Sequence, residues 1–385
     1  MVRHMNIMKK SNIFVGSAIL FICLLGSIFW YLSNSKNGKD KDTFKIGMII
    51  SKDNVLQNHD RGIKTGIEYA LKQEKNNPNG IDSKIMLLSS DADSINTKTK
   101  KQLQHMIEEK NVKVVIGSSD YNLCNLEKQI ANEYNIPIIV PRNIAVNGTE
   151  NPNRVHEQLP SVKQESQFLV SFIKSALKAQ KVTVIYELSS EYQQSFAQNI
   201  LKSAEKNKIL VVSTNAFVAD TKNYGPILSK AMSENPDVIV IAAYPSEAGY
   251  IIDQAREKGI TIPIVGPSSL DRYKSLRENI KLKNLDNIYY CSLSNLNSDD
   301  FIKFAKTFKE MKEYNPSKYE LYGYNVGLEL VSALKRSSIN KINADEFDKA
   351  LSQSILQFQA HPQLFLKKIE SGNEITEPFT YSDDL

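Results

Sequence analysis

After residue 43 the hydrophobic pattern alternates between two periods. The runs 44–50, 84–88, 112–116 and 136–140 are short and apolar, which predicts strands. Between them, 61–73 places Ile63, Ile67, Ala70 and Leu71 at helical spacing, and 97–110 does the same with Leu103, Met106 and Ile107. A further helix is expected at 123–134. The pattern then restarts. Helices at 164–179, 192–206, 224–233 and 247–258 alternate with strands at 182–186, 209–213, 238–242 and 262–265. Apolar strands separated by amphipathic helices imply parallel sheets covered on both faces, and two such series imply two α/β lobes. In open parallel sheets ligands sit beyond the carboxyl ends of the strands. The loops after Ile50, Ile116, Val140, Tyr186, Ala242 and Val265 are therefore the places to look for chemistry.

The first 43 residues break the pattern. Residues 13–32 form an uncharged apolar run, about 30 Å long as a helix and so long enough to cross a bilayer core. Arg3, Lys9 and Lys10 precede it and favour a cytoplasmic start; Trp30 and Tyr31 close it, where amphipathic rings suit an interface. A retained signal anchor is expected, with residues 1–12 cytoplasmic, 13–32 spanning and 33–43 a polar linker. A long cleaved signal peptide, cut near Ser33-Asn34-Ser35, is the alternative. Phe21 and Ile22 before Cys23 do not suit a lipoprotein anchor.

Composition narrows the function classes. At 385 residues the chain is long enough for two domains, and 41% hydrophobic with 24% charged residues is globular. The formal net charge is +5, but residues 1–43 account for +4 of it. The folded part is electrically balanced, which removes the main support for nucleic-acid binding. Three cysteines, Cys23, Cys124 and Cys291, lie far apart; buried free thiols are expected for the last two, with a single disulfide between them as the alternative. The five histidines have no metal-ligand spacing, and no G-x-S-x-G, Walker or H-E-x-x-H motif is present. No metal, cofactor or enzymatic activity is expected.

Several segments, in order, resemble the type 1 periplasmic solute-binding family, in the branch of leucine/isoleucine/valine-binding proteins of ABC transporters. They are KIGMII at Lys45, DRGIKTGIEYAL at Asp60, VKVVIGSSD at Val112 and ANEYNIPIIVPRN at Ala131. VTVIYELSSEYQQSF at Val182, NPDVIVIAAYPSEAGYIIDQAREKGITIPIVGPSSL at Asn235 and YGYNVGLELVSAL at Tyr322 complete the series. Each is weak alone; their order carries the likeness. It implies two doubly wound parallel-sheet lobes joined by a three-strand hinge, with a ligand trapped between them. Lobe 1 would be 44–160 plus 289–357, and lobe 2 would be 161–288 plus 358–385.

The resemblance also implies site residues, and here the chain departs from the family. Amino-acid-binding relatives hold the ligand carboxylate with small hydroxyl residues and backbone N–H groups, and its ammonium with an acid. Tyr121 falls where a ligand-holding serine would be, beside Asp120. Arg142-Asn143-Ile144 replaces a small hydroxyl triplet after Val140, and Gly266-Pro267-Ser268-Ser269 delays the acid to Asp271. Tyr192 and Tyr244 match two aromatic residues of the second lobe, and Tyr192 is expected as a cleft ring rather than a core ring. The candidate ligand contacts are Tyr192, Tyr244, Arg142, Tyr121, Asn143, Ser119 and Ser268, with Arg142 available to an anionic ligand. Ser118 is a candidate cap for the helix after it. Two readings stay open. One is a membrane-tethered solute receptor serving an ABC-type permease, its ligand small, polar, and amino-acid-like or anionic. The other is a ligand-poor sensory or scaffolding module that binds a partner protein.

Overall fold

The computed structural model describes residues 43–77, 80, 84–92, 97–140, 154–281, 285–337, 344–358 and 364–379. The apolar run at 13–32 lies outside them, and no helix among the described residues is long and apolar enough to cross a membrane.

The first series builds β1 (Thr43–Ser51), α1 (Asn54–Lys75), β2 (Lys84–Ala92), α2 (Thr97–Glu108), β3 (Val114–Ile116), α3 (Tyr121–Glu133), β4 (Ile138–Val140) and β5 (Val155–Glu157). Its five strands are all parallel, in the order β2-β1-β3-β4-β5. The second series is α4 (Val162–Ser175), β6 (Lys181–Glu187), α5 (Glu191–Lys206), β7 (Leu210–Phe217), α6 (Gly225–Met232), β8 (Val238–Ala242), α7 (Pro245–Glu257), β9 (Ile264–Gly266), a short 3₁₀ turn (Ser268–Leu270), α8 (Tyr273–Glu278) and β10 (Ile288–Ser292). Three helices follow, α9 (Asp299–Lys312), α10 (Lys318–Arg336) and α11 (Ala344–Phe358), then the antiparallel hairpin β11 (Phe365–Glu370) and β12 (Asn373–Glu377). The second sheet has the order β12-β11-β10-β9-β8-β6-β7.

The central strands of each sheet are buried on both faces, because they are apolar at consecutive positions. In the second sheet Val182, Val184, Val238 and Val240 face α4 and α5. Ile185, Ile239 and Ile241 face α6 and α7. In the first, Ile46, Met48, Val114 and Ile116 pack toward α1, α10 and α11, while Ile49, Val115, Ile138 and Val140 pack toward α2 and α3. Cys124 and Cys291 are buried free thiols in different clusters, and burial pushes both up from their usual range.

The chain passes between the sheets after β5, after β10 and again before β11. β10 pairs with β9 and β11, so Tyr289–Ser292 lie in the second sheet.

The first lobe depends on a close crossing of α1 and α10. A Cβ on Gly323 would stand 1.9 Å from the Ile63 carbonyl oxygen, and one on Gly66 2.1 Å from that of Glu320. Gly66 and Gly323 let the two backbones touch. The Gly323→Ala substitution should therefore cost on the order of 1–3 kcal/mol by overpacking, seen as a lower urea midpoint; an unchanged midpoint would contradict this contact.

Glu329, on α10, supplies a pH dependence. Its carboxyl is fully buried, receives one long hydrogen bond from Gln158 Nε2 (3.4 Å), and has no partner for Oε2 among the described residues. Burial pushes it up to about 8. The folded state then keeps a proton that the unfolded state loses above its ordinary value of 4.5. This contribution is complete below that value and is lost as pH rises toward about 8, by about 1.4 kcal/mol per pH unit. Denaturation midpoints between these pH values should fall less steeply in Glu329→Gln than in the parent chain; parallel slopes would exclude Glu329 as the cause.

Candidate functional site

Each sheet has one place where consecutive connections leave in opposite directions. In the first sheet β1 lies between β2 and β3, so the crevice opens between the ends of β1 and β3. In the second, β6 lies between β7 and β8, and the crevice opens between the ends of β6 and β8. Such switch points are where open α/β sheets hold ligands.

At the first switch point the loops are tied together by Asp60, which is fully buried on α1. Its Oδ2 accepts from Ser51 N (2.9 Å), at the end of β1, and from Ser118 Oγ (2.8 Å), beyond β3. Its Oδ1 accepts from Ser119 N (2.6 Å). Burial raises the Asp60 pKa, and the hydrogen bonds from Ser51, Ser119 and Ser118 act against that rise. A second buried acid, Glu127 on α3, accepts from Ser118 N (2.7 Å), and burial pushes it well up. Asp120, not Ser118, caps α3: its Oδ1 accepts from Asn122 N (3.0 Å) and Leu123 N (3.1 Å). Ser118 Oγ instead accepts from Asp120 N (3.1 Å) while donating to Asp60.

At the second switch point the loops after β6 and β8 meet directly, with Ser190 Oγ donating to Tyr244 OH (3.3 Å). Ser190 also caps α5 through Gln193 N. Tyr244 opens α7 and is 42% exposed, so its ring stands at the mouth. Glu165, fully buried in the first turn of α4, accepts from Tyr192 OH (3.1 Å) and from Ser268 N. Tyr192 OH and Ser268 Oγ are 3.3 Å apart. Gln193 Nε2 donates to Ser269 Oγ (3.2 Å), which donates to the Ala243 carbonyl (2.9 Å). The ends of β6, β8 and β9 thus share one hydrogen-bonded layer.

The lobes meet at an ion pair beside this layer. Lys318 Nζ, at the start of α10, reaches Asp271 Oδ2 and the Asp271 carbonyl, both at 2.8 Å, and Ser292 Oγ donates to the same carboxylate (3.0 Å). Burial alone would lower the Lys318 pKa; the Asp271 carboxylate outweighs it and leaves the group above its usual range. On the other side, the His59 and Tyr319 rings stack with centroids 3.8 Å apart.

The structure brings Tyr192, Ser268 and Tyr244 to the second-lobe layer and Ser119 to the first-lobe crevice. Tyr121 is the first residue of α3. Arg142 and Asn143 lie outside the described residues. Tyr192 is partly buried and packs against the second-lobe core, and burial beside Glu165 pushes its phenol well up. Asp60, Glu165 and Gln193 were not anticipated. A signal for the two acids existed, since Asp60 shares a helical stripe with Ile63 and Ile67, and Glu165 with Phe168, Leu169 and Phe172. Among the described residues no group of acids, cysteines and histidines could hold a metal ion.

Because its hydroxyl is bonded rather than free, Tyr192→Phe should lower stability by about 1 kcal/mol. Chemical denaturation measures this, and an equal or higher midpoint would show that the Glu165–Tyr192 bond contributes nothing.

Comparison with known proteins agrees with this architecture. The periplasmic binding protein family model matches residues 43–371. The Leu/Ile/Val-binding protein of Citrobacter freundii is 23% identical over 260 residues, covering 66% of this chain and 67% of its own. Among solved structures, the LivJ substrate-binding protein of Streptococcus pneumoniae, in complex with isoleucine, superposes with a TM-score of 0.67 at 21% identity. That match covers 87% of this chain and all of LivJ. The leucine-binding protein LivK of Thermotoga maritima gives 0.70 at 19% identity, covering 89% of this chain and all of its own. With two parallel-sheet lobes and a match over most of its length, the chain belongs to the periplasmic binding protein family, a family of solute receptors rather than enzymes, in its leucine/isoleucine/valine-binding-protein-like branch.

Proposed function

We propose that this chain is an extracytoplasmic receptor that closes its two lobes over a small polar solute and presents it to an ABC-type permease. The observation that carries the reading is a switch point in each sheet, the first edged by serine hydroxyls and the second by hydroxyl and aromatic groups, with an ion pair joining the lobes. A ligand touching both lobes stabilises the closed state by the difference in its contacts between the two states. Tyr244 and Ser268 are the second-lobe contacts, and Ser119 and Tyr121 border the first-lobe side. Arg142 and Asn143 belong to the same proposal through their place after β4. The apolar run 13–32 would tether the receptor to the membrane, with 33–43 as spacer. Lobe 1 is assigned to 44–160 with α9 to α11, and lobe 2 to 161–292 with the C-terminal hairpin.

One observation favours the second reading, a module that binds a partner protein. Leu188, Val218 and Tyr244 follow three neighbouring strands and are 48%, 59% and 42% exposed. They form an apolar lip on the second lobe.

A thermal-shift screen against amines, amides, polyols, amino acids and small carboxylates separates the readings, since a ligand of the native state raises the melting temperature by mass action. A shift of several degrees with one class is expected. Tyr244→Ala should then weaken that ligand at least ~10-fold without lowering the melting temperature of the free chain, because the ring is largely exposed. No shift with any class would favour the protein-binding module.

A further inference from the structure

The first-lobe crevice is built like an anion receptor. Backbone N–H groups at the end of one parallel strand, beyond its neighbour, and at the start of α3 converge on one place, as they do where proteins hold carboxylates or phosphates. In this chain those donors already hold the protein's own oxygens. Ser51 N, Ser118 Oγ and Ser119 N converge on Asp60, and Ser118 N on Glu127. Asp120 N is turned to Ser118 Oγ, while Asn122 N and Leu123 N are held by the Asp120 cap. Asp60 and Glu127 are fully buried, so neither leaves space for a second anion beside it.

We infer that Asp60 is a specificity-determining residue: its carboxylate fills the anion-binding donors of the first lobe, so the solute carries no carboxylate or phosphate and instead offers hydrogen-bond donors. The inference rests on the solute-receptor reading and narrows its ligand. A second anion at this crevice would face the Asp60 carboxylate with the donors around it already engaged, and like charges in a dehydrated site disfavour each other. A solute with an amine, amide N–H or hydroxyl group meets acceptors instead, the partly exposed Asp120 carboxylate first among them. The second lobe is consistent with this. Its own buried acid, Glu165, holds the Ser268 N–H and the Tyr192 hydroxyl, the two donors that would otherwise suit an anion.

Formate is a direct probe, because it is a carboxylate small enough to replace the one that Asp60→Ala removes. Formate, against chloride at equal ionic strength, should raise the melting temperature of Asp60→Ala in a saturable way and leave the parent chain unchanged. Asp60→Asn, which keeps the side-chain volume, should not respond. If Asp60→Ala does not stay folded, its refolding yield in formate against chloride gives the same readout. In parallel, the parent chain is titrated with matched pairs, leucinamide against leucine and ethanolamine against glycolate. The member lacking a carboxylate should bind at least ~10-fold more tightly. Equal or tighter binding of leucine or glycolate would overturn the inference while leaving solute binding intact. An Asp60→Ala chain indifferent to formate would overturn it as well. If the parent chain binds neither member of any pair while Asp60→Ala still responds to formate, the filled crevice is supported and the solute-receptor reading fails.

Discussion

A carboxylate can be buried in a protein only where enough donors replace the water it loses. At the head of the first lobe, Asp60 meets this condition by drawing in the loop after β1 and the loop after β3 together. The arrangement is reciprocal. The loops have one conformation because the acid is there, and the acid is tolerated because the loops supply three hydrogen bonds. Much of the architecture serves to bring these parts together. Two-sided burial fixes β1 beside β3, and the glycine-lined crossing of α1 and α10 sets how deeply α1, which carries Asp60, can sit.

The second lobe repeats the device with other residues. Glu165 begins α4, the first helix after the chain enters that lobe, and ties it to Tyr192 on α5 and to the turn after β9. Each lobe therefore carries a buried acid on its first long helix, and each acid organises the loops at its own switch point. The mouth itself, with Tyr244 exposed and Ser190 bonded to it, is left to solvent or ligand. Between the lobes, the Lys318–Asp271 pair places opposite charges across the passage that follows β10.

The alternation of apolar runs with amphipathic helices made both parallel series legible, from β1 to β4 and from α4 to β9, with ends displaced by a few residues. The elements that escaped lack that contrast. β5 is three residues with His156 and Glu157 among them, and β11 and β12 interleave Lys and Glu with Leu and Ile, β12 forming the edge of its sheet. Tyr192, Tyr244, Ser119 and Ser268 were proposed from family likeness; Tyr244, Ser119 and Ser268 lie just beyond strand ends, and Tyr192 lies on α5. What likeness could not convey was direction. Ser119 offers its N–H inward to Asp60, and Tyr192 offers its hydroxyl to Glu165, because two acids on otherwise apolar helix stripes must find donors. Those acids were visible in the sequence as interruptions of the stripe, and their consequence depends on three-dimensional neighbours that no periodicity encodes.

The most direct test of this account is amide hydrogen exchange at Ser118 and Ser119 in the ligand-free chain. If their N–H groups are held by Glu127 and Asp60, they exchange as slowly as the amides of β1 and β3, with no solute present. Exchange as fast as in an exposed loop would show that the donors are open, and would contradict the claim that the first-lobe crevice is already filled.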